Sequence, residues 1–189
     1  MINYVAYRKF VSLKNGKRVM FRFLAEQDRE NLIQMFQEAP DEDIRFLKQD
    51  VKNSKMVGSW LDHLNYRRVL PLVAVDLDSN KLIGDGTLHR GKHAAKHIGE
   101  VRIFVSRSYR NLGLGSLMLE ELINLAFQEN LQWLQAEVIA DLKKVIKAFR
   151  AHGFEQKALL DDYFIRKDGM THDVVLMLRP VIKREEVEF

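Results

Sequence analysis

The chain has 189 residues, 47% apolar and 30% charged, which suits one soluble domain with a sizeable core. Its 30 Lys and Arg against 26 Asp and Glu leave a net charge of +4, mild and dispersed, which fits an anionic ligand and does not argue for a nucleic-acid surface. The absence of cysteine excludes disulfides, a thiolate nucleophile and Cys-based metal sites. No run approaches the roughly 18 apolar residues of a membrane helix, and the first residues lack the apolar core of a signal peptide, so a cytoplasmic location is expected.

Tyr4–Leu13 and Arg18–Leu24 read as two strands of a hairpin, because Asn15-Gly16 between them is a strong turn signal. Asp28 is placed to cap a helix carrying Leu32, Ile33, Met35 and Phe36. Pro40 ends it and starts a turn or a second helix through Ile44, Phe46 and Leu47. Residues 51–66 carry Trp60, Leu61 and Leu64 at helical spacing, interrupted by Gly58. Val69–Val75 is an apolar run and reads as a buried strand; Leu82–Leu88 is a strand broken by Gly84 and Gly86; Gly91–His97 is a polar loop. Leu131–Ile139 is a further strand, and Asp141 precedes a helix with Val145, Ile146 and Phe149 that stops at Gly153. Leu159–Arg166 and Val174–Leu178 form the last strands, before a charged tail from about residue 181 that is expected to be loose. The order predicts a mixed α/β sheet with helices on both faces, in one domain spanning 1–189.

The most informative stretch is Val101–Glu121. Val101, Ile103 and Val105 alternate as a strand, and Leu114, Leu117, Met118, Leu122 and Leu125 follow on one helical face. Between them lies Arg110-Asn111-Leu112-Gly113-Leu114-Gly115-Ser116. A strand feeding a glycine turn into a helix makes an anion site, because the first helical N–H groups have no internal partner and the helix dipole favours negative charge. There is no third glycine at dinucleotide-fold spacing and no Gly-Lys-Ser/Thr of a nucleotide loop.

In this setting the Arg110-x-x-Gly113-x-Gly115 stretch resembles the coenzyme A pyrophosphate loop of the GNAT acetyltransferase superfamily. The element order resembles that fold from about Leu13 to Leu178, a mixed and mostly antiparallel sheet with helices on both faces. The resemblance implies acetyl-CoA as co-substrate and no metal. It implies that the N–H groups of Asn111, Leu112, Gly113, Leu114, Gly115 and Ser116, with Arg110, hold the pyrophosphate. It further implies that the backbone of Ile103, Phe104 and Val105 pairs with the pantetheine arm beside a splayed strand. Glu100 opens the same strand, in the register of the glutamate of bacterial Pat-type protein-lysine acetyltransferases. Such a carboxylate takes the proton of the attacking amine, directly or through water; the other reading of Glu100 is a surface glutamate paired with Arg102. Leu13-Lys14-Asn15-Gly16, Gly99-Glu100-Val101, Gly153-Phe154 and Asp173–Met177 also resemble that branch.

One residue departs from the pattern. Many members carry a tyrosine four residues before the Gly-Phe pair as general acid, and here that position is Phe149, which reads as core; Tyr163 or solvent is the alternative proton source. His89, His93 and His97 lie at i, i+4 and i+8, but in a loop among Arg90, Lys92 and Lys96, so no metal is expected. Trp60, Tyr66 and Phe46 are candidates for an acceptor pocket or for the core. The expected function is direct transfer of acetyl from acetyl-CoA to a primary amine, a protein lysine or a small amine, without nucleic acid or membrane. The rival is a non-catalytic acyl-CoA-binding module. Oligomeric state, a homodimer among the options, is not legible.

Overall fold

The computed structural model describes residues 2–181; the charged tail expected at the end lies almost wholly outside them. One sheet of eight strands forms the centre, in the order β1-β2-β3-β4-β5-β6-β8-β7. The strands are β1 (Lys9–Ser12), β2 (Arg18–Phe23), β3 (Val69–Asp76), β4 (Leu82–Arg90), β5 (Ile98–Val105), β6 (Trp133–Ile139), β7 (Glu155–Ile165) and β8 (Thr171–Pro180). Every neighbouring pair is antiparallel except β5 with β6. That is the mixed, mostly antiparallel sheet expected, and β3 is buried along nearly its whole length, as its apolar run requires.

Helices cover both faces. On one, α4 (Leu114–Gln128) and α5 (Lys143–Ala151) pack into a core with Phe21, Leu72, Leu88, Leu122, Phe149 and Phe154. On the other, α1 (Arg29–Glu38) and α3 (Ser54–Asp62) bury Leu32, Phe36, Val57 and Leu61 against Val73, Val75 and Phe104. Each such fully buried Leu or Phe side chain contributes roughly 1.5–3 kcal/mol of transfer free energy. The approach of α4 to β4 depends on small residues: a Cβ on Gly86 would meet Met118 Cε at 3.1 Å and Leu122 Cδ1 at 3.2 Å. Because strand side chains alternate, Gly84, Gly86 and Leu88 face α4, and Asp85, Thr87 and His89 face α1 and α3.

Several local readings need correction. The first strand is only Lys9–Ser12; Tyr4 instead packs on Phe23 and Tyr66. Asp28 occupies the cap position of α1 but does not bond the helix: its carboxylate accepts from Arg22 at 2.5 and 2.6 Å and from Ala25 N–H at 2.9 Å. That buried pair ties α1 to β2, a tertiary demand that outweighs local capping. Asp141 is not the cap of α5 either; Leu142 is, and Asp141 points outward with its side chain 81% exposed. The second helix, α2 (Asp41–Ile44), stops before Phe46 and Leu47.

Candidate active site

The loop from β5 to α4 is built to present donors. Asn111 and Gly113 both take left-handed backbone, φ +60° and +90°, the conformation found in turns whose backbone N–H groups form anion-binding concavities. Among the described residues the N–H groups of Asn111 through Ser116 have no acceptor; the next one, Leu117, donates to Gly113 C=O at 3.0 Å. The run ends at the positive end of α4's dipole, and no acidic residue stands in its first turn. Ser116 is exposed, and Leu114 is buried, so Leu114 offers backbone only. The residues present therefore fit a pyrophosphate. Arg110 is engaged elsewhere: its guanidinium donates to Asp43 at 2.7 Å and to Val105 C=O at 3.0 Å. Arg107 also binds Asp43 and, closer still, Glu42, so the acidic α2 lies against the basic loop. These arginines, Arg107 first, hold the Asp43 carboxyl below its ordinary value against the opposing effect of burial.

Beside the loop the sheet opens. β5 and β6 pair over three rungs only, Ile98 with Trp133, Gly99 with Leu134 and Glu100 with Gln135. Beyond Glu100, β5 runs to Val105 and β6 to Ile139 with no pairing between them. On its other side β5 stays paired with β4 as far as Val105. On this side the edge at Ile103, Phe104 and Val105 thus has no strand partner among the described residues, although Val105 C=O accepts from Arg110.

Glu100 stands on the last rung before the split. Arg102 donates to both its oxygens at 2.9 Å, and Lys48 reaches it at 2.8 Å. Lys48 also bonds Glu137 of β6 at 2.8 Å and so bridges the two strands where they part. Burial alone would raise the Glu100 carboxyl, but Arg102 and Lys48 outweigh it and hold it at about 2. Burial works against the Lys48 ammonium, yet its two carboxylates push it above the ordinary value.

On the α1/α3 side of the sheet lies a cavity of about 380 Å³. Its wall is mostly apolar, with Phe36, Trp60 and Phe104, and it includes Lys48, His63, Asp85, Thr87, His89 and Arg102. His89 shares a hydrogen bond of 2.9 Å with Thr87 Oγ1; burial first, then Arg102, lower its imidazole to about 4, so it is neutral. Asp85 is the one carboxyl among the described lining residues, and burial alone pushes it up to about 7.

The remaining candidates sort clearly. Phe149 is 7% exposed and packs edge-on against Phe154 at 5.0 Å, so it is core. Tyr163 is exposed on β7 and does not line the cavity. Of the three aromatics, Trp60 lines the cavity, Tyr66 joins the Tyr4–Phe23 cluster, and Phe46 meets His172 edge-on. His93 sits in a short 3₁₀ turn, and no group of three metal-binding side chains occurs among the described residues. Lys48 and Asp85 are not among the residues the sequence points to. Lys48 lies in a loop whose reach is set by tertiary structure. Asp85 does leave a trace, a lone acid at an interior position of an apolar strand.

Residues 29–154 match the model of the Acetyltransferase (GNAT) family, and the chain belongs to that family. A curated relative, "Putative phosphinothricin acetyltransferase YwnH" of Bacillus subtilis (strain 168), is 28% identical over 89 residues, 47% of this chain. The matched part spans about half, 54%, of that relative. The GNAT domain of S. lividans PAT superposes with a TM-score of 0.75 at 22% identity, over 92% of this chain and 96% of that one. A phosphinothricin acetyltransferase from Sinorhizobium meliloti, solved in complex with AcCoA, gives a TM-score of 0.74 at 18% identity, over 90% and 95%. These structures share the fold.

Proposed function

We propose that the protein is an acetyl-CoA-dependent N-acetyltransferase that passes the acetyl group directly to a primary amine. One observation carries the reading: N–H groups at the head of α4 that have no acceptor among the described residues adjoin a strand edge freed by the β5–β6 split. In this reading the N–H groups of Asn111 through Ser116 and the Ser116 hydroxyl hold the pyrophosphate. Arg110 adds charge once it exchanges Asp43 for phosphate. The β5 backbone at Ile103–Val105 pairs with the pantetheine arm, and one of its N–H groups steadies the oxyanion. Acetyl-CoA supplies an acyl group already activated as a thioester. The cavity of about 380 Å³ supports a small amine, since its size lies within the range of small-molecule sites. The Pat-like sequence features keep a protein lysine as the second acceptor class.

Glu100 enters as a fixed negative charge at the mouth of the split. Arg102 and Lys48 occupy its oxygens and depress its proton affinity, which suits attraction of an ammonium better than removal of its proton. Glu100→Gln is therefore expected to slow transfer about 10-fold, short of the 10²–10⁴-fold loss of a general base. The test is calorimetric titration with acetyl-CoA, then thiol release in the same sample with a panel of primary amines and lysine peptides. Binding with amine-dependent release supports the enzyme. Binding with no release for any amine supports the acyl-CoA-binding module instead, and no binding refutes both.

A further inference from the structure

Resting on the N-acetyltransferase reading, we propose that Asp85 receives the ammonium of the acceptor and takes its proton, and that the acceptor is a primary amine on an apolar or aromatic body. Asp85 sits at the centre of β4, between Val73 of β3 and Phe104 of β5 in the ladder. Both neighbours are buried, at 0% and 6% exposure. The Asp85 side chain faces the cavity, away from α4. No described residue gives its carboxyl a hydrogen bond or a countercharge; burial is all that acts on its ionisation. An ionised carboxylate in such a wall is costly unless a cation meets it.

The cavity's own cations are committed. From β5, Arg102 is held by Glu100, and from the segment after α2, Lys48 is held by Glu100 and Glu137. At the end of α3, the His63 ring is already hydrogen-bonded to Ser59 C=O at 2.9 Å; from β4 itself, His89 is neutral and bound to Thr87. α1 contributes only Leu32 and Phe36, and β3 only Val69 and Pro71. The cation must therefore come with the ligand. Phe36, Trp60 and Phe104 suit an apolar body and add attraction for the ammonium.

The chemistry balances. Asp85 takes one proton from R–NH₃⁺, leaving R–NH₂ and a neutral carboxyl. The nitrogen lone pair forms the C–N bond to the acetyl carbon as the C=O π pair moves to oxygen, and collapse of that oxyanion returns the C–S pair to sulfur. The second nitrogen proton passes to that sulfur through water, and Asp85 releases the first to solvent. The sum is ammonium and thioester giving amide, thiol and one proton. A carboxyl poised at about 7 is a far better proton acceptor than Glu100 at about 2.

Asp85→Asn and the unaltered chain are compared in two measurements. First, 2-phenylethylamine is titrated calorimetrically at pH 8 without acetyl-CoA. Binding weakened at least ~10-fold by the substitution is expected; equal binding overturns the cation site, whatever becomes of the acetyltransferase reading. Second, thiol release with acetyl-CoA and the same amine is followed from pH 5.5 to 9. The unaltered rate is expected to rise through one ionisation near 7. In Asp85→Asn this inflection disappears and the rate falls at least ~10²-fold, with acetyl-CoA affinity unchanged. A rate within threefold, or a retained inflection, overturns the proton role. Should the asparagine variant not fold, Asp85→Ser repeats both measurements. Amine binding that depends on Asp85, with no thiol release from the unaltered chain, refutes the proton role and leaves the cation site standing; the acetyltransferase reading falls only if the whole panel of amines and lysine peptides also gives no release.

Discussion

The two glycines of the loop do different work, although the sequence presents them as one motif. Gly113 has φ +90°, and any Cβ there is strained by about 1–2 kcal/mol. At Gly115 a Cβ would rest 3.7 Å from Val105 Cγ2, an ordinary contact, within the first turn of α4. Gly113→Ala is therefore expected to lower stability by about 1 kcal/mol and to weaken acetyl-CoA binding, because it tilts the N–H groups. Gly115→Ala is expected to leave stability unchanged or raise it by up to about 1 kcal/mol, and to weaken acetyl-CoA binding by crowding the approach to the backbone. Urea unfolding and calorimetry on both variants separate the two effects. A loss of stability in Gly115→Ala would contradict the assignment.

At the scale of elements, the turn before the glycine loop is held by the carboxylate that ends β3. Asp76 ends β3, is fully buried, and accepts from Tyr109 of the turn after β5, from Asp78 N–H at 2.9 Å and from Lys17 at 3.2 Å. Burial opposes its charge, but these donors win and hold it at about 2. Because this folded value lies below the unfolded 3.8, the stabilisation is present above about pH 4 and is lost as pH falls toward 2. Asp76→Asn is expected to cost about 1–3 kcal/mol at pH 7, and much less at pH 2, by urea unfolding.

The order of elements and the glycine loop were legible because period-two alternation, helical spacing and turn glycines are local signals. The β5–β6 split was not, since it depends on where β6 stops pairing, and nothing in Val101–Val105 or Gln135–Ile139 encodes that locally. Asp28 and Asp141 show the same limit from the other side. Both occupy helix starts, yet one is claimed by Arg22 and the other by no helix bond. The cavity and its Asp85 required three elements, α1, α3 and β4, to be brought together.

At the scale of the whole molecule, α2 joins the two halves of the site. Its Asp43 holds Arg107 and Arg110 of the loop before α4, and Leu47 and Lys48, just beyond it, line the cavity proposed for the acceptor. An arriving phosphate must compete with Asp43 for the arginines. Asp43→Asn is expected to raise acetyl-CoA affinity about 3- to 10-fold and to steepen its loss with added salt, because Arg110 then has no carboxylate partner while Glu42 still holds Arg107. Weaker binding in that variant would mean instead that Asp43 orients the arginines for the ligand.

The short pairing of β5 with β6 also bears on how the molecule comes apart. Three rungs join a five-stranded half, β1 to β5, to a three-stranded half, β6, β8 and β7. The two halves share one core, so within the sheet this seam is where native-state hydrogen exchange is expected to find the lowest protection. A ligand lying along the free edge of β5 fills the place of the missing rungs. At 100 times its dissociation constant it adds about 2.7 kcal/mol to the folded state. On the proposed reading, such a molecule would complete its sheet with its own co-substrate.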